Sequence, residues 1–524
     1  MPLLESCRFK RLLLFCIVLV GAGLRLYKWN GYSLWYDEAI WTYIGTGDFL
    51  HSVTLTVGIS KPPFFRILLY FWSFLGQGEF VLRLLPAIIG MASIIVVYKL
   101  GKILFDEKVG LFAAFLICLS PFHIYYSQEL THYSLTMFLA LCSVYYLALS
   151  LDRNKISFWI KFILFTTLSI YNSYPCVFLI IAQNIFFLFS YRKYKSLTKR
   201  WFFSQLAILL LYSPWLMLLP NQFLILLFQQ DYLDWVPKGS LAHIFQTIRL
   251  FNAGYNAAFP VHLFALLLFT PLLLVGIFHN LKKNWKKIKL LLIWFFLPLI
   301  LSLIFSKIQA TFTYRNFIFI LPAYYFLIAL GITRLKQCLY ILLFSFIVVS
   351  SLSLYNYYKD ILPYPEGFYR PGVHNKIDNR GSTVYIASNF QKGDVVMHTC
   401  RSTMRPYLYY LFVLNNKNID KINNLFFNPF YLPEEEKGFT DLAYKAFQWE
   451  SGLTIKSAEG ASKLIMPGSR RIWLVFSSWE PQLLFADRSM EEYKVKKWLD
   501  DNFIITSYKE FEGIKVYLYK IPHA

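Results

Sequence analysis

Pro62-Pro-Phe-Phe-Arg66-Ile-Leu-Leu-Tyr70-Phe-Trp-Ser-Phe-Leu-Gly76 is the stretch on which the topology of the whole chain turns. It is apolar enough to suggest a membrane crossing, but a spanning helix needs about 20 apolar residues. This run has fifteen, with Arg66 among them. Eleven other runs are long enough, with ragged ends allowed: 11–27, 81–100, 109–126, 134–151, 157–173, 175–191, 201–219, 261–280, 288–306, 316–334 and 338–357. Loops on the cytoplasmic side of a membrane carry the excess of Lys and Arg. Read alternately, one side collects Arg8/Lys10/Arg11, Lys99/Lys102/Lys108, Arg153/Lys155, Arg192–Arg200, Lys282–Lys289 and Arg334/Lys336. The other side has no Lys or Arg in 125–133 or 172–174. That alternation survives only if 62–76 does not cross. The segment is therefore expected to lie on the outer leaflet as a juxtamembrane helix, inside one long outer loop, 28–80.

The composition agrees. Of 524 residues, 57% are hydrophobic, 19% aromatic and only 16% charged, whereas soluble domains carry roughly a quarter charged residues. This excludes a conventional soluble protein for most of the chain, and it excludes disorder. The net charge of +22 sits in short loops between apolar runs, which points to a membrane and not to a nucleic-acid face. Of seven cysteines, six lie in or beside apolar runs and Cys400 is alone in the polar tail, so no bridge can form within that tail. The first run lacks a small-residue cleavage site and reads as an uncleaved anchor. The basic loops put the N-terminus in the cytoplasm, and an odd number of crossings then puts the tail outside.

From about Asp360 the pattern changes. Short β-type runs at 394–399, 471–476 and 515–520 alternate with helical patterns such as 489–502. The expected architecture is an all-α polytopic bundle of about 11 spans over 1–358, followed by an extracytoplasmic α/β domain over 359–524. That domain shows no phosphate loop, metal spacing or nucleophile elbow.

Four stretches could carry chemistry. Ser33-Leu-Trp35-Tyr36-Asp37-Glu38-Ala-Ile-Trp41 places two carboxylates among aromatics near the outer face. A carboxylate there can take a proton from an acceptor hydroxyl or amine, and Trp35 and Tyr36 can stack on a sugar or sit in the interfacial belt. The same acids also suit an ordinary helix start. Lys61-Pro62-Pro63 holds a cation at headgroup level, either for a lipid phosphate or for simple snorkelling. Ser127-Gln128-Glu129-Leu-Thr131-His132-Tyr133 falls on the same outer side, as does Thr313-Tyr314-Arg315-Asn316. Arg315 there can grip phosphate as a fork or anchor a helix. Glu129 with His132 (or His123) forms at most a loose metal site, because no tight ligand spacing supports it.

Asp37-Glu38 after the first span, followed by Lys61-Pro-Pro opening a short helix, resembles the GT-C class of membrane glycosyltransferases. The resemblance is to protein O-mannosyltransferases, lipid A aminoarabinose transferases and their bacterial relatives. Phe80-Val-Leu-Arg83-Leu-Leu-Pro86-Ala87, Ser120-Pro121-Phe122-His123-Ile-Tyr-Tyr-Ser127-Gln128-Glu129, and Tyr314-Arg315 before Leu321-Pro322 match in order. The resemblance implies a polyprenyl-phosphate sugar donor, an extracytoplasmic lipid, polysaccharide or protein acceptor, inversion at the anomeric carbon, and a bacterial inner membrane. It makes Asp37 the general base and Glu38 its support. Lys61 and Arg315 become donor-phosphate ligands, with Gln128, Glu129, Tyr133, Trp35 and Tyr36 supporting. Some members bind a divalent metal. One departure stands out: relatives continue Gln-Glu with Ala-Arg-x-Tyr, and here Thr131 replaces the arginine.

Two other classes compete. A transporter or lipid-sugar flippase should carry its ionisable groups near mid-span, whereas these acids gather at outer loop edges. An inactive scaffold relative would leave the Asp-Glu and Lys-Pro-Pro coincidence unexplained.

Overall fold

The computed structural model describes residues 7–44, 62–218, 238–308, 312–363, 376–414, 461–462, 465, 468–477 and 486–522. The chain divides into two compact units: Met1–Trp29, Ser60–Leu68 and Arg83–His374 form one, and Asn30–Ile59, Leu69–Leu82 and Asn375–Ala524 form the other. The second unit thus includes parts of the long outer loop as well as the tail.

The helices run in chain order as α1 (Cys7–Leu26), α2 (Tyr36–Ile44), α3 (Phe64–Trp72, continued as a 3-10 turn to Leu75), α4 (Glu79–Leu104), α5 (Glu107–Leu119), α6 (Pro121–Gln128), α7 (Tyr133–Arg153), α8 (Ile156–Asn172), α9 (Val177–Phe189), α10 (Thr198–Leu216), α11 (Leu241–Ala253), α12 (Phe259–Phe278), α13 (Leu281–Phe305), α14 (Leu321–Arg334), and α15 (Leu339–Tyr358). Each of the eleven apolar runs forms helix. Among the described residues, six helices are long and apolar enough to cross a membrane, or eight if each of two bent pairs counts as one span. The remaining runs fall short for physical reasons. α1 carries Arg8, Lys10, Arg11 and Arg25, and α8 has only 17 residues. The 175–191 and 201–219 runs belong to a pair bent by 80°. Segment 62–76 forms a short apolar helix: Phe65, Arg66 and Leu69 are buried, while Phe71, Phe74 and Leu75 are exposed.

Within the first unit, side chains punctuate the helices. Asp106 starts α5 by accepting the Val109 amide at 2.9 Å, and Asn154 ends α7 in the left-handed region at φ 51°. The break between α5 and α6 bends the axis by 58°. Ser120 ends one helix and caps the next, accepting the His123 amide at 3.3 Å, and Pro121 occupies the first position. Helices α12 and α14 meet backbone to backbone at Gly276 and Gly331. A Cβ on Gly276 would stand 1.9 Å from the Leu327 carbonyl, and one on Gly331 would stand 2.1 Å from that of Leu272.

The second unit is built on a four-stranded sheet, ordered β1-β2-β4-β3, from β1 (Asp394–His398), β2 (Arg471–Ser477), β3 (Ile504–Phe511) and β4 (Ile514–Lys520). β1 and β2 are parallel, with His398 opposite Val475, and the other pairings are antiparallel. Its remaining helices are α16 (Asn379–Asn389), α17 (Arg401–Leu414) and α18 (Ala486–Asn502). Alternation along β2 sends Trp473 and Val475 to a core with Ile386, Tyr407 and Leu411 of α16 and α17. Ile472, Leu474 and Phe476 go to the opposite core, with Val495 and Leu499 of α18. Strand β3 escapes the sequence reading because it is exposed over most of its length, so it lacks a hydrophobic alternation.

Candidate active site

In the second unit, the acid pair opens α2. Glu38 is buried (1% exposed) and turns back on its own helix, its Oε2 accepting the Trp35 amide at 3.3 Å. Asp37, one position earlier, is half-buried. Adjacent carboxylates on a helix point about 100° apart, so one packs inward while its neighbour is less deeply covered. The segment leading into α2 is fastened at three points. Ser33 donates to Asp378 Oδ1 at 3.0 Å and accepts the Arg380 amide at 3.0 Å. The Leu34 amide donates to the Tyr410 hydroxyl at 2.7 Å, and the Leu34 carbonyl accepts from Asn379 Nδ2 at 3.0 Å. Asp378 also caps α16 through the Gly381 amide. Trp35 and Tyr36 remain half-buried beside the acids.

In the first unit, α6 and the turn after it assemble a second polar group. The Thr131 amide donates to the Glu129 carbonyl at 2.8 Å, a tight three-residue turn that separates Glu129 from α7. Glu129 is 2% exposed and lies beside the Tyr125 hydroxyl. Arg315, 8% exposed, sits in a 3-10 helix, Tyr314–Ile320, that runs into Leu321-Pro322 of α14. Its guanidinium lies over the Tyr133 ring at 5.5 Å. Tyr126 and Tyr255 share a 2.8 Å hydrogen bond, and both lie in the fields of Glu129 and of Arg315. A buried acid and a buried guanidinium thus face one set of tyrosines. This can hold an anion at one end and hydroxyl groups at the other.

The predicted residues therefore separate into two groups. Arg315, Glu129 and Tyr133 come together in the first unit, while Asp37, Glu38, Trp35 and Tyr36 come together in the second. Gln128 turns away from the tyrosines, and its amide donates to the carbonyls of Leu24, Arg25 and Tyr27 at 3.2, 3.0 and 2.8 Å. Lys61 lies outside the described residues. His132 packs on Tyr133, with ring centroids 4.3 Å apart. His123 is engaged by Arg25 at 2.7 Å, so it does not join Glu129. Among the described residues, no three His, Cys, Asp or Glu side chains converge as metal ligands. Sequence reasoning missed Asp378, Arg380, Tyr410 and Tyr255. Asp378 before a helix start was the one legible signal among them.

Comparison with known proteins follows the same lines. Residues 60–218 match the family described as dolichyl-phosphate-mannose-protein mannosyltransferase. An uncharacterized protein of Aquifex aeolicus (strain VF5) is 25% identical over 369 residues, covering 66% of this chain and 70% of that one. ArnT from Cupriavidus metallidurans, solved bound to undecaprenyl phosphate, superposes with a TM-score of 0.59 at 12% identity, over 98% of both chains. The archaeal oligosaccharyltransferase AglB from Archaeoglobus fulgidus, solved with an inhibitory peptide and a dolichol-phosphate, gives 0.52 at 13% identity over 90% of this chain and 69% of that one. This chain is a multi-pass membrane protein with the fold of the GT-C glycosyltransferases, and it resembles the mannosyl- and aminoarabinose-transferase branch of that class.

Proposed function

We propose that this protein transfers a sugar from a polyprenyl-phosphate donor to an extracytoplasmic acceptor, with Asp37 as the general base. The observation that carries the reading is the division of labour in the acid pair. Glu38 is buried and bound to the Trp35 amide, while Asp37 is only half-buried. In a single displacement, Asp37 takes the proton of the acceptor O–H or N–H. The acceptor's lone pair forms the new bond at the anomeric carbon from the face opposite the phosphate. The old C–O bond breaks with its electron pair on the phosphate oxygen, and the anomeric configuration inverts. Arg315, 5.5 Å from the Tyr133 ring, stabilises the charge that develops on the departing lipid phosphate, with Lys61 as its second cation. The family match at 60–218 and the undecaprenyl phosphate bound to ArnT support a lipid-phosphate donor. In this reading the eleven apolar helical runs of 1–358 cross a bacterial inner membrane. The N-terminus is then cytoplasmic and 359–524 extracytoplasmic.

The test uses native membranes expressing wild type or Asp37→Asn at equal protein level, supplied with a panel of radiolabelled polyprenyl-phosphate sugars. Consumption of one donor by wild type and not by the variant supports the reading and names the sugar. Equal consumption by both removes Asp37 as the base.

A further inference from the structure

The bend between α5 and α6 breaks the helical ladder in the apolar interior and leaves the Ile117 carbonyl with a long backbone bond, 3.4 Å from the Ser120 amide. In a continuous helix the Ile117 carbonyl would accept from the amide of residue 121, but residue 121 is proline and has none. The last turn of α1 also loses helical donors because the helix stops; there the Gly23 carbonyl accepts the Tyr27 amide at 2.9 Å and the Leu24 carbonyl accepts the Tyr358 hydroxyl. In hydrocarbon such groups must be satisfied from within the protein.

Each weakened end also receives a side chain from the other. Arg25, in the last turn of α1 and fully buried, donates from Nη2 to the Ile117 carbonyl at 3.0 Å. Its Nη1 donates to the Cys118 carbonyl at 3.1 Å and to Gly21 at 2.9 Å. Gln128, the last residue of α6, donates back to the carbonyls of Leu24, Arg25 and Tyr27. A guanidinium offers only donors, so the 2.7 Å contact from Arg25 Nη2 to His123 Nδ1 makes Nδ1 the acceptor and leaves the ring neutral with its proton on Nε2. One planar fork therefore reads two carbonyls and a ring nitrogen across the break, which a lysine cannot reproduce.

We propose that Arg25 and Gln128 are reciprocal positioning residues. They lock the corner between α1 and α6 and so hold Tyr126 and Glu129 beside Arg315. The consequence for turnover rests on the transferase reading above; the consequence for the corner does not.

The test uses the full chain in lipid nanodiscs, comparing wild type with Arg25→Gln, Arg25→Lys and Gln128→Leu. Gln128→Leu replaces the carboxamide by methyl groups of similar bulk and leaves no charge behind, so it is the mildest of the three changes. Hydrogen exchange read over 119–131 should rise by roughly tenfold or more in Gln128→Leu and Arg25→Gln, the equivalent of at least one lost net hydrogen bond. Exchange over α7 should hold. Donor kcat should fall by about a hundredfold with KM nearly unchanged, because Arg315 is untouched, and Arg25→Lys should recover part of both. Unchanged exchange over 119–131 would overturn the proposal. So would equal loss over α6 and α7, since the pair would then be holding the whole bundle. If wild type itself consumes no donor, the transferase reading fails and the exchange pattern still decides on the corner.

Discussion

The Arg380 guanidinium grips the Glu79 carboxylate with two hydrogen bonds, Nη2 to Oε2 at 2.5 Å and Nε to Oε1 at 3.2 Å, across 301 residues of chain within the second unit. The same guanidinium donates to the Tyr32 carbonyl at 3.3 Å, so the pair also steadies the segment that leads into α2. Glu79 is 8% exposed and Arg380 41%. Removing the arginine takes a bidentate cation away from a buried carboxylate. Because Arg380 is partly solvated, the cost of Arg380→Ala should be about 1–2 kcal/mol. Arg380→Ala with Glu79→Gln should recover part of it, since the buried charge is gone. Thermal unfolding of the two single variants and the double variant measures both.

His398 ends β1 with Nδ1 3.1 Å from the Thr403 hydroxyl and its ring 4.8 Å from that of Tyr407. Burial holds the imidazole neutral, lowering its pKa from 6.5 to about 3. The unfolded chain takes up a proton below pH 6.5, and the folded one does not until near pH 3. The stability tied to neutral His398 is therefore complete above pH 6.5 and is lost as pH falls toward 3, roughly 2 kcal/mol of it by pH 5. His398→Asn keeps a partner for Thr403 and removes the titration. Its melting temperature should fall less than that of wild type between pH 7.5 and 5, and an equal fall in both would refute the assignment.

Gly331→Ala should separate α12 from α14, because its methyl would meet the Leu272 carbonyl at 2.1 Å. Overpacking of this kind costs about 1–3 kcal/mol. Gly23→Ala, where no atom lies within 4 Å of the added carbon, is the matched control and should leave the melting temperature unchanged or slightly raised.

Arg315→Lys keeps the charge and loses the planar fork and its fit over Tyr133. Donor KM should rise by about tenfold, with a smaller loss in kcat. A pure kcat defect would move Arg315 from phosphate binding to some other role.

The membrane helices were legible because their signal is local: apolar length and the charge of the next loop can be read residue by residue. The acid pair was legible for the same reason, being two carboxylates in an aromatic setting next to a span. The partners that fix it were not. Ser33 to Asp378, Leu34 to Tyr410 and Glu79 to Arg380 are contacts over some three hundred residues or more, and none leaves a local pattern. The Arg25–Gln128 exchange was hidden differently. Gln128 stood out as part of a motif, but its side chain serves the end of a helix about a hundred residues earlier. Strand β3 was missed because a strand exposed on both faces has no hydrophobic period to detect.

The fastening of Leu34 by Tyr410 also sets a schedule. The donor leaves the ribosome 376 residues before the acceptor, a delay of roughly 20–75 s at ordinary elongation rates. Asp378, which holds Ser33, is itself tied through its amide to the carbonyl of Glu512, in the turn between the last two strands. The acid-bearing helix is thus made early and fastened late. A chain released before its final strands would lack the Glu512 carbonyl that holds the Asp378 amide, so the last residues made complete the support of the segment that leads into α2.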